Sequence, residues 1–506
     1  MRDRVVLAAI LLLALIVRLP GFGWGDDFPG GFRGHHVDEW THVVLAGTLI
    51  DPKIPPRWHP QPYPKGLAAH VAVPFLIQRA ATGRLFGAAL PSDEALIKTA
   101  RAISIAYGVL AVGALWWIAR RVCTDPRSAH FAGACLALAP LAVTQSHFGL
   151  ADAPALFWTL AAGACLIADL SDSRRHALGA AGFSVGMAVG LKLTLWLGPA
   201  LAIAVISRPH RIARSVTAIL LTIAGFATCT FLSMSPFDVV KCFTGNSVVP
   251  PDALRASDFP LLYAIELLPS FGALTLVIAT FGASSALSKS RDAYAIAVAL
   301  VVPAILHLAV GLPKFAPFPR HLLPLFPLLA LAFGVGATRA RWSTIVAVIA
   351  LAYLAYASIG TERRFDHDPR TKVREFLRTR VDPGSRVAWS AYEAEIGADG
   401  FIASAFPDGS APDVIVAEAY RVNHWLSGTK LRDSRPTDHR QVFDGQSALH
   451  LTAWQQLFDA KHQPSYRVAE TYTVPRPMLE DRIADQILGD RSRTYVGDIT
   501  IFVKNR

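Results

Sequence analysis

The chain has 506 residues, of which 52% are hydrophobic and only 17% are charged, whereas soluble domains carry about a quarter charged residues. This composition excludes an ordinary soluble protein and predicts a polytopic α-helical membrane protein embedded in a lipid bilayer. The net charge of +11 does not predict nucleic-acid binding, because the sequence has no dense basic stripe with interleaved aromatic residues. The five cysteines are odd in number and form no CxxC motif, which argues against a disulfide framework or a zinc ribbon.

The apolar stretches begin close to the N-terminus, where residues 5–22 follow a short basic segment. No small-residue cleavage site comes after them, so we expect a retained signal-anchor helix. A bilayer crossing needs about 20 apolar residues, and on this basis about eleven transmembrane helices are predicted. Their approximate ranges are 5–22, 101–119, 128–147, 151–170, 177–191, 193–207, 214–233, 259–286, 292–311, 321–338 and 342–360.

Short basic connectors separate several of these stretches, for example at residues 120–127, 208–214 and 339–341. The positive-inside rule places such connectors in the cytoplasm, and with the N-terminus inside the crossings alternate without conflict. We therefore predict a multi-pass protein of the inner (plasma) membrane whose first long loop, residues 23–100, is extracytoplasmic. Residues 66–88 are apolar enough to cross and would invert this topology. Because a proline, a histidine and two arginines interrupt them, we expect a helix at the outer interface instead.

The composition changes after the last predicted crossing. Charged residues become frequent, and short strand-like runs appear at residues 386–389 and 413–417. Residues 361–506 are therefore predicted to form an extracytoplasmic soluble α/β domain, which is long enough to bury its own core. Residues 1–360 form the predicted transmembrane domain.

An acidic pair, Asp38 and Glu39, stands in the first loop together with His36, Tyr63 and Lys65. A carboxylate here could act as a general base towards a hydroxyl, or bind a metal ion together with a histidine. A loop helix that starts near the pair would explain it equally well, since an acidic residue at a helix N-terminus interacts favourably with the helix dipole. Spacing alone leaves both interpretations open.

Three further ionic positions lie at predicted ends of crossings. Asp152 begins one helix, Lys192 interrupts an apolar stretch, and Arg320 precedes His321 at another edge. The ordinary explanations are a helix cap, a snorkelling lysine and an interfacial anchor. The functional interpretation is a lipid phosphate bound by Lys192 and by the guanidinium fork of Arg320. All three positions fall on the same predicted side as Asp38, which favours a shared site.

Six short elements follow one another along the chain: His36-Val37-Asp38-Glu39, Tyr63-Pro64-Lys65, Arg101 at the opening of a helix, Asp152-Ala153-Pro154, the turn at Lys192, and Arg320-His321-Leu322-Leu323-Pro324. Their order and spacing resemble the polyprenyl-phosphate-sugar-dependent glycosyltransferases of the GT-C class. The resemblance is to the protein O-mannosyltransferase group in particular, and to the aminoarabinose transferase that modifies lipid A. It covers about residues 1–360 and implies the GT-C fold.

The resemblance also implies a reaction and a set of partners. The donor would be a sugar on a polyprenyl phosphate, and the acceptor would be a hydroxyl of a protein, a lipid or a glycan. Asp38 corresponds to the base of an inverting transfer, and Glu39 would assist it or substitute for it. The donor phosphate would be bound by Lys65, Lys192 and Arg320. The site would be lined by His36, Tyr63, Asp152 and His321.

The resemblance leaves the cofactor and one alternative function open. Some relatives carry a glutamate where this chain has Pro64, so a divalent metal ion is not certain, and His35 and His36 are the candidate ligands. The alternative function is a transporter or flippase of lipid-linked sugars. Such proteins place binding residues near the bilayer midplane and often carry internal repeats, and neither feature is evident in the sequence.

Overall fold

The computed structural model describes residues 2–24, 37–51, 64–82, 90–172, 176–192, 196–207, 209–231, 233, 259–286, 293–311, 319–389, 401–405, 412–418, 465–476, 478–488 and 498–505. Within these residues the chain is helical as far as residue 380, and the strands follow.

The helical part begins with ten α-helices: α1 (Arg2–Ile16), α2 (Val37–Ile50), α3 (Gly66–Ala81), α4 (Asp93–Val122), α5 (Arg127–Leu138), α6 (Pro140–His147), α7 (Asp152–Asp172), α8 (Ala177–Leu191), α9 (Leu197–Ile206) and α10 (Arg211–Thr230). Next come α11 (Phe259–Phe271), α12 (Ala273–Ala286) and α13, which begins at Ala293, ends at Gly311 and includes two π-helical stretches (Ala297–Val301 and His307–Gly311). A 3₁₀ helix (Pro319–Leu325) leads into α14 (Phe326–Ala337), α15 (Arg341–Asp366) and α16 (Pro369–Arg380).

Six helical segments of the described chain are long and apolar enough to cross a membrane, or seven if the bent pair of α11 and α12 is one span. The six are Asp93–Val122, Asp152–Asp172, Arg211–Thr230, Ala293–Val310, Pro319–Ala337 and Arg341–Arg380. Helices α8 and α9 are apolar but shorter, as expected for the hairpin that carries Lys192. The remaining crossings of the eleven or so that the sequence predicts stay a prediction.

Two of the predicted crossings are broken. Residues 128–147 are interrupted at Ala139, whose ψ of 119° is extended, because the proline that follows disfavours helical conformation in the residue before it. Residues 259–286 bend by 103° at Gly272, whose φ of +82° lies in the left-handed region that glycine adopts readily. Each of these two predicted crossings therefore consists of two helical segments.

One end of the helical bundle carries arginines paired with aspartates. Arg120, near the end of α4, donates to Asp3 of α1 at 2.9 Å, and Arg214 of α10 pairs with Asp169 of α7 at 2.6 Å. Arg101 precedes Arg120 by 19 residues on the same helix, which separates them by about 28 Å along the axis. Because a bilayer core is about 30 Å thick, Arg101 and the basic end are as far apart as the two faces of that core.

The strands form one mixed sheet in the order β2-β1-β3-β5-β4. Its strands are β1 (Arg386–Trp389), β2 (Ile402–Ala405), β3 (Val414–Glu418), β4 (Tyr466–Tyr472) and β5 (Ile499–Lys504), and α17 (Leu479–Leu488) lies between β4 and β5 in the chain. Strand β1 pairs in parallel with β2 and β3, whereas β5 is antiparallel to β3 and β4. The strand-like runs predicted at 386–389 and 413–417 are thus present. Val373 and Leu377 of α16 pack against Val387 and Ile501 of the sheet.

The long helix α15 is shared between the bundle and the C-terminal region. It continues to Asp366, past the domain boundary predicted at residue 360. Arg364 near its end pairs with Asp481 of α17 at 3.0 Å, and both side chains are buried. The sheet-bearing region is therefore held against the bundle by buried charged contacts.

Candidate active site

Glu39 is the anchor of the acidic pair. Both of its carboxylate oxygens accept hydrogen bonds from Arg101, from Nε and from Nη2, each at 2.9 Å. Oε1 also accepts from the backbone N–H of Gly149 at 2.7 Å. The side chains of Glu39 and Arg101 are each 1% exposed. A buried carboxylate held in this way fixes the position of the first turn of α2, which also carries Asp38.

Asp38 precedes Glu39 within the first turn of α2, and its side chain lies outside the described residues. Gly149, which binds Glu39, stands three residues before Asp152 at the start of α7. A side chain on Gly149 would meet Cβ of Ala100 at 2.6 Å, so only glycine lets this backbone approach α4. The starts of α2 and α7 are therefore adjacent.

Lys65 immediately precedes α3, which packs beside α2. Arg79 Nη1 donates to the carbonyl of Ile50 at 3.1 Å, so the C-terminal ends of α2 and α3 are in contact. The two helices therefore run side by side, with their N-terminal ends at the same end of the helix pair. Lys65 Nζ donates to the carbonyl of Ser233 at 3.0 Å. The next residue, Gly66, lies so close to α8 that a Cβ there would be 2.5 Å from the carbonyl oxygen of Gly190. The start of α3 therefore abuts the end of α8.

Lys192 follows the end of α8 and forms an ion pair with Asp152. Asp152 is buried, whereas the lysine side chain is 32% exposed. The backbone N–H of Lys192 still donates to the carbonyl of Ala188 at 2.9 Å, so the lysine stands at the helix C-terminus, where a cation is favoured by the dipole. This ammonium group is thus both oriented by a carboxylate and accessible from outside the core.

Two residues that the sequence did not single out, His307 and Trp196, join this cluster. The rings of His307 and Trp196 are 4.4 Å apart, and His307 is an electrostatic neighbour of Lys192. His307 Nε2 donates to the carbonyl of His321 at 2.6 Å, which leaves Nδ1 as a hydrogen-bond acceptor in the neutral ring. That Nδ1 is buried and has no partner among the described residues. The signal available in the sequence was a histidine inside the apolar run 292–311.

The structure brings together most of the predicted site residues. Glu39 and Asp152 are joined through the Gly149 segment, Asp152 binds Lys192, and Lys65 stands where α3 abuts α8. The backbone carbonyl of His321 binds His307. Arg320 precedes His321 in the 3₁₀ helix and is partly exposed. The predicted site residues His36 and Tyr63 lie outside the described residues.

No metal-ligand cluster is found within the described part of the chain, where no group of three or more His, Cys, Asp or Glu side chains is placed to hold an ion. The candidate ligands His35 and His36 lie outside that part.

Comparison with known proteins identifies a matching family and structures with a similar fold. Residues 91–240 match the family model of dolichyl-phosphate-mannose-protein mannosyltransferases. The solved oligosaccharyltransferase of Archaeoglobus fulgidus in complex with Zn and sulfate is 13% identical with a TM-score of 0.51, over 99% of this chain and 88% of that chain. ArnT from Cupriavidus metallidurans bound to undecaprenyl phosphate is 12% identical with a TM-score of 0.51, over 98% of this chain and 97% of that chain. No curated protein matches the sequence significantly.

The fold is therefore that of the GT-C membrane enzymes, as the order of the short motifs implied. The family match together with this fold indicates a glycosyltransferase. Arg101, Asp152 and Lys192 all lie within the segment that matches the mannosyltransferase family.

Proposed function

We propose that this protein transfers a sugar from a polyprenyl-phosphate donor to an acceptor hydroxyl at the extracytoplasmic face, with inversion at the anomeric carbon. The observation that carries the proposal is the connected cluster at one end of the bundle: Glu39 and its neighbour Asp38, then Gly149, Asp152 and Lys192. It places a carboxylate-bearing helix start beside an oriented, accessible ammonium group. Both the base and the counter-ion of such a reaction are then available in one place.

The acceptor side of the reaction requires a base. Asp38 takes the proton of the acceptor hydroxyl while that oxygen bonds to the anomeric carbon, because a hydroxyl nucleophile needs a carboxylate within hydrogen-bond reach. The bond between the anomeric carbon and the phosphate oxygen breaks, and the electron pair leaves with the polyprenyl phosphate. Glu39 and Arg101 hold the first turn of α2 in place during this step.

The donor side requires fixed positive charge. Lys65, Lys192 and Arg320 stabilise the phosphate as negative charge develops on it, and charge that is already oriented stabilises a transition state most effectively. Asp152 orients Lys192 through their ion pair. The free Nδ1 of His307, next to the Trp196 ring, accepts a hydrogen bond from a hydroxyl of the donor sugar. Trp196 offers an apolar surface beside it.

Two observations support this proposal over the transporter. ArnT, which shares the fold, was solved with undecaprenyl phosphate, and the matched family transfers mannose from dolichyl phosphate. Neither comparison favours a transporter. The acceptor class, a protein, a lipid or a glycan, is left to experiment.

The test is a transfer assay with purified protein and a panel of radiolabelled polyprenyl-phosphate sugars. Asp38→Asn should lower kcat by about 10²- to 10⁴-fold, which is the usual contribution of a general base. The control is Glu94→Gln, which removes another acidic side chain from the first turn of a helix, where it pairs with Lys98 at 2.7 Å. This control should leave kcat unchanged.

Full activity of the Asp38→Asn protein would overturn the assignment of the base. Movement of labelled donor between the leaflets of a vesicle without any release of sugar would instead support the transporter. Transfer to one acceptor class in the panel would identify the substrate.

A further inference from the structure

Trp24 lies between two buried ion pairs. One joins Arg101 to Glu39, and the other joins Arg370 to Asp368 in the C-terminal part of the chain. The guanidinium of Arg101 is 5.4 Å from the centre of the Trp24 ring, and that of Arg370 is 5.1 Å away. Its indole N–H donates to Asp368 at 2.8 Å. Trp24 is 5% exposed, so these contacts are made away from water, where cation–π attraction is strongest.

On one side, Trp24 reaches the acidic pair through Arg101. Arg101 Nη1 donates to the backbone carbonyl of Trp24 at 2.7 Å and to that of Phe22 at 3.1 Å. Its remaining donors, Nε and Nη2, bind Glu39. The position of the Arg101 guanidinium is therefore set jointly by Trp24 and by Glu39.

On the other side, Trp24 reaches the C-terminal region through Asp368. Asp368 caps α16 by accepting from the backbone N–H of Arg370 at 2.9 Å, and it also binds the Arg370 side chain, with Nε–Oδ1 at 3.0 Å. Helix α16 packs on the sheet through Val373 and Leu377. A continuous set of buried contacts thus runs from the sheet to the first turn of α2.

We propose that Trp24, Asp368 and Arg370 are positioning residues through which the C-terminal domain sets the place of the Asp38 carboxylate. This inference rests on the proposed function and gives the C-terminal domain a part in it. Phe148 and Phe365 enclose the indole with ring centres at 5.9 Å and 5.0 Å. The enclosed ring has little room to move, so a shift of α16 is passed to Arg101 and on to Glu39.

A second buried contact between the same regions provides an internal comparison. Arg364 of α15 pairs with Asp481 of α17 at 3.0 Å and donates to the carbonyl of Pro475 at 2.7 Å. These two contacts are distinct from the hydrogen bonds that Trp24 makes with Asp368 and Arg101. We expect a substitution there to loosen the C-terminal region while the hydrogen bonds between Arg101 and Glu39 stay in place.

The test uses the full-length protein and compares Trp24→Phe and Asp368→Asn with Asp481→Asn. Trp24→Phe keeps an aromatic face for both guanidinium groups but loses the N–H donor, and Asp368→Asn keeps an acceptor for the cap but loses the charge. Both should lower kcat about 10- to 100-fold, as misplacement of a reacting group does. The KM for the donor should change less than kcat, because the path from Trp24 and Arg101 reaches Lys192 through three further residues, Glu39, Gly149 and Asp152. Asp481→Asn should lower the thermal unfolding temperature but keep kcat.

Amide hydrogen exchange provides a readout that does not depend on activity. Residues 37–50 of α2 should exchange faster in Trp24→Phe and in Asp368→Asn than in the parent protein, and should be unaffected by Asp481→Asn. The double variant Trp24→Phe with Glu39→Gln should be no worse in kcat than Glu39→Gln alone, because both substitutions act through Arg101.

Three results would overturn the inference: unchanged exchange in α2, equal loss of kcat in Asp481→Asn, or independent effects in the double variant. If Trp24→Phe does not fold, Asp368→Asn decides the question by the same measurements. If the parent protein transfers no sugar, the proposed function is wrong. The contact path from Trp24 to α2 is still tested in that case, because hydrogen exchange does not depend on activity.

Discussion

The structure explains why a charged residue, Lys192, is tolerated within an apolar stretch of the sequence. A lysine at the centre of a bilayer is costly, by about 2.5–3.5 kcal/mol on insertion scales. The residue instead ends α8, pairs with Asp152, and keeps a third of its side chain exposed. The lysine is therefore not buried without a partner. We propose that it exchanges part of its contact with Asp152 for contact with the donor phosphate.

We therefore predict that Lys192→Met lowers kcat for transfer by about 10²- to 10³-fold, which is the usual cost of removing one preorganised group that stabilises developing charge. Lys192→Arg should retain more activity, because the positive charge remains. The measurement is steady-state transfer together with binding of polyprenyl phosphate. Lys98→Met, which removes a lysine that is exposed to a similar extent and pairs with Glu94, is the matched control. Equal activity of the two methionine variants would contradict the prediction.

The acidic pair shows what residue-level sequence reasoning can and cannot reach. The doublet Asp38-Glu39 is visible in the sequence, but both carboxylates are chemically able to act as a base. The structure adds that Arg101, 62 residues further along, donates to both oxygens of Glu39, which supports the proposal that Asp38 is the base. A pairing over that sequence distance has no local pattern. His307 went unnoticed for a related reason, since one histidine in an apolar run gives no sign of facing Lys192.

At the scale of elements, the helices could be predicted from apolar length, but their breaks could not. The interruption at Ala139 has a local cause, a proline, and could have been predicted from residues 139–140. The bend at Gly272 could not, because glycine is tolerated in many helices and nothing in the neighbouring sequence requires its φ of +82°. A Cβ at this position would lie 2.9 Å from side-chain atoms of Leu354 and Thr275. The strands of the C-terminal region were partly visible as apolar runs. Their order, with β5 between β3 and β4, depends on long-range pairing.

The contact between α3 and α8 leads to a prediction about Gly66. A Cβ at this position would lie 2.5 Å from the backbone carbonyl oxygen of Gly190 and 2.6 Å from the sulfur of Cys229. Relieving the first of these clashes requires the backbone of α8 to move, which costs free energy. Gly66→Ala should destabilise the protein by about 1–3 kcal/mol, as overpacking does. It should also weaken donor binding, because it moves Lys65 away from Lys192. Thermal unfolding in detergent and donor affinity are the two measurements.

The matched control for this substitution is Gly47→Ala in α2, where a Cβ would meet nothing within 4 Å. This change should be neutral or stabilising, since alanine is a better helix former than glycine by about 1 kcal/mol. If Gly66→Ala were as stable as Gly47→Ala, the close approach of α3 and α8 would not exist in solution.

At the scale of the whole molecule, the arginines at one end of the bundle bear on its orientation in the membrane. The end opposite the candidate site carries Arg120 and Arg214 in ion pairs, with further arginines in the adjoining connectors. Positive charge of this kind is retained in the cytoplasm. The candidate site, about 28 Å away along α4, would then face the other side of the membrane. That is the side on which a lipid-linked sugar and the C-terminal domain would meet an acceptor.

This orientation predicts the outcome of a protease-protection experiment. Epitope tags are placed in the connector between Cys123 and Arg127 and, in a second protein, after Arg506. In sealed right-side-out vesicles the C-terminal tag should be digested by added protease, and the connector tag should survive until detergent opens the membrane. The physical reason is that α4 separates Arg101 from Arg120 by about the thickness of a bilayer core. Digestion of the connector tag and protection of the C-terminal tag would show the reverse orientation. The candidate site would then face the cytoplasm, and the donor and acceptor would have to be sought there.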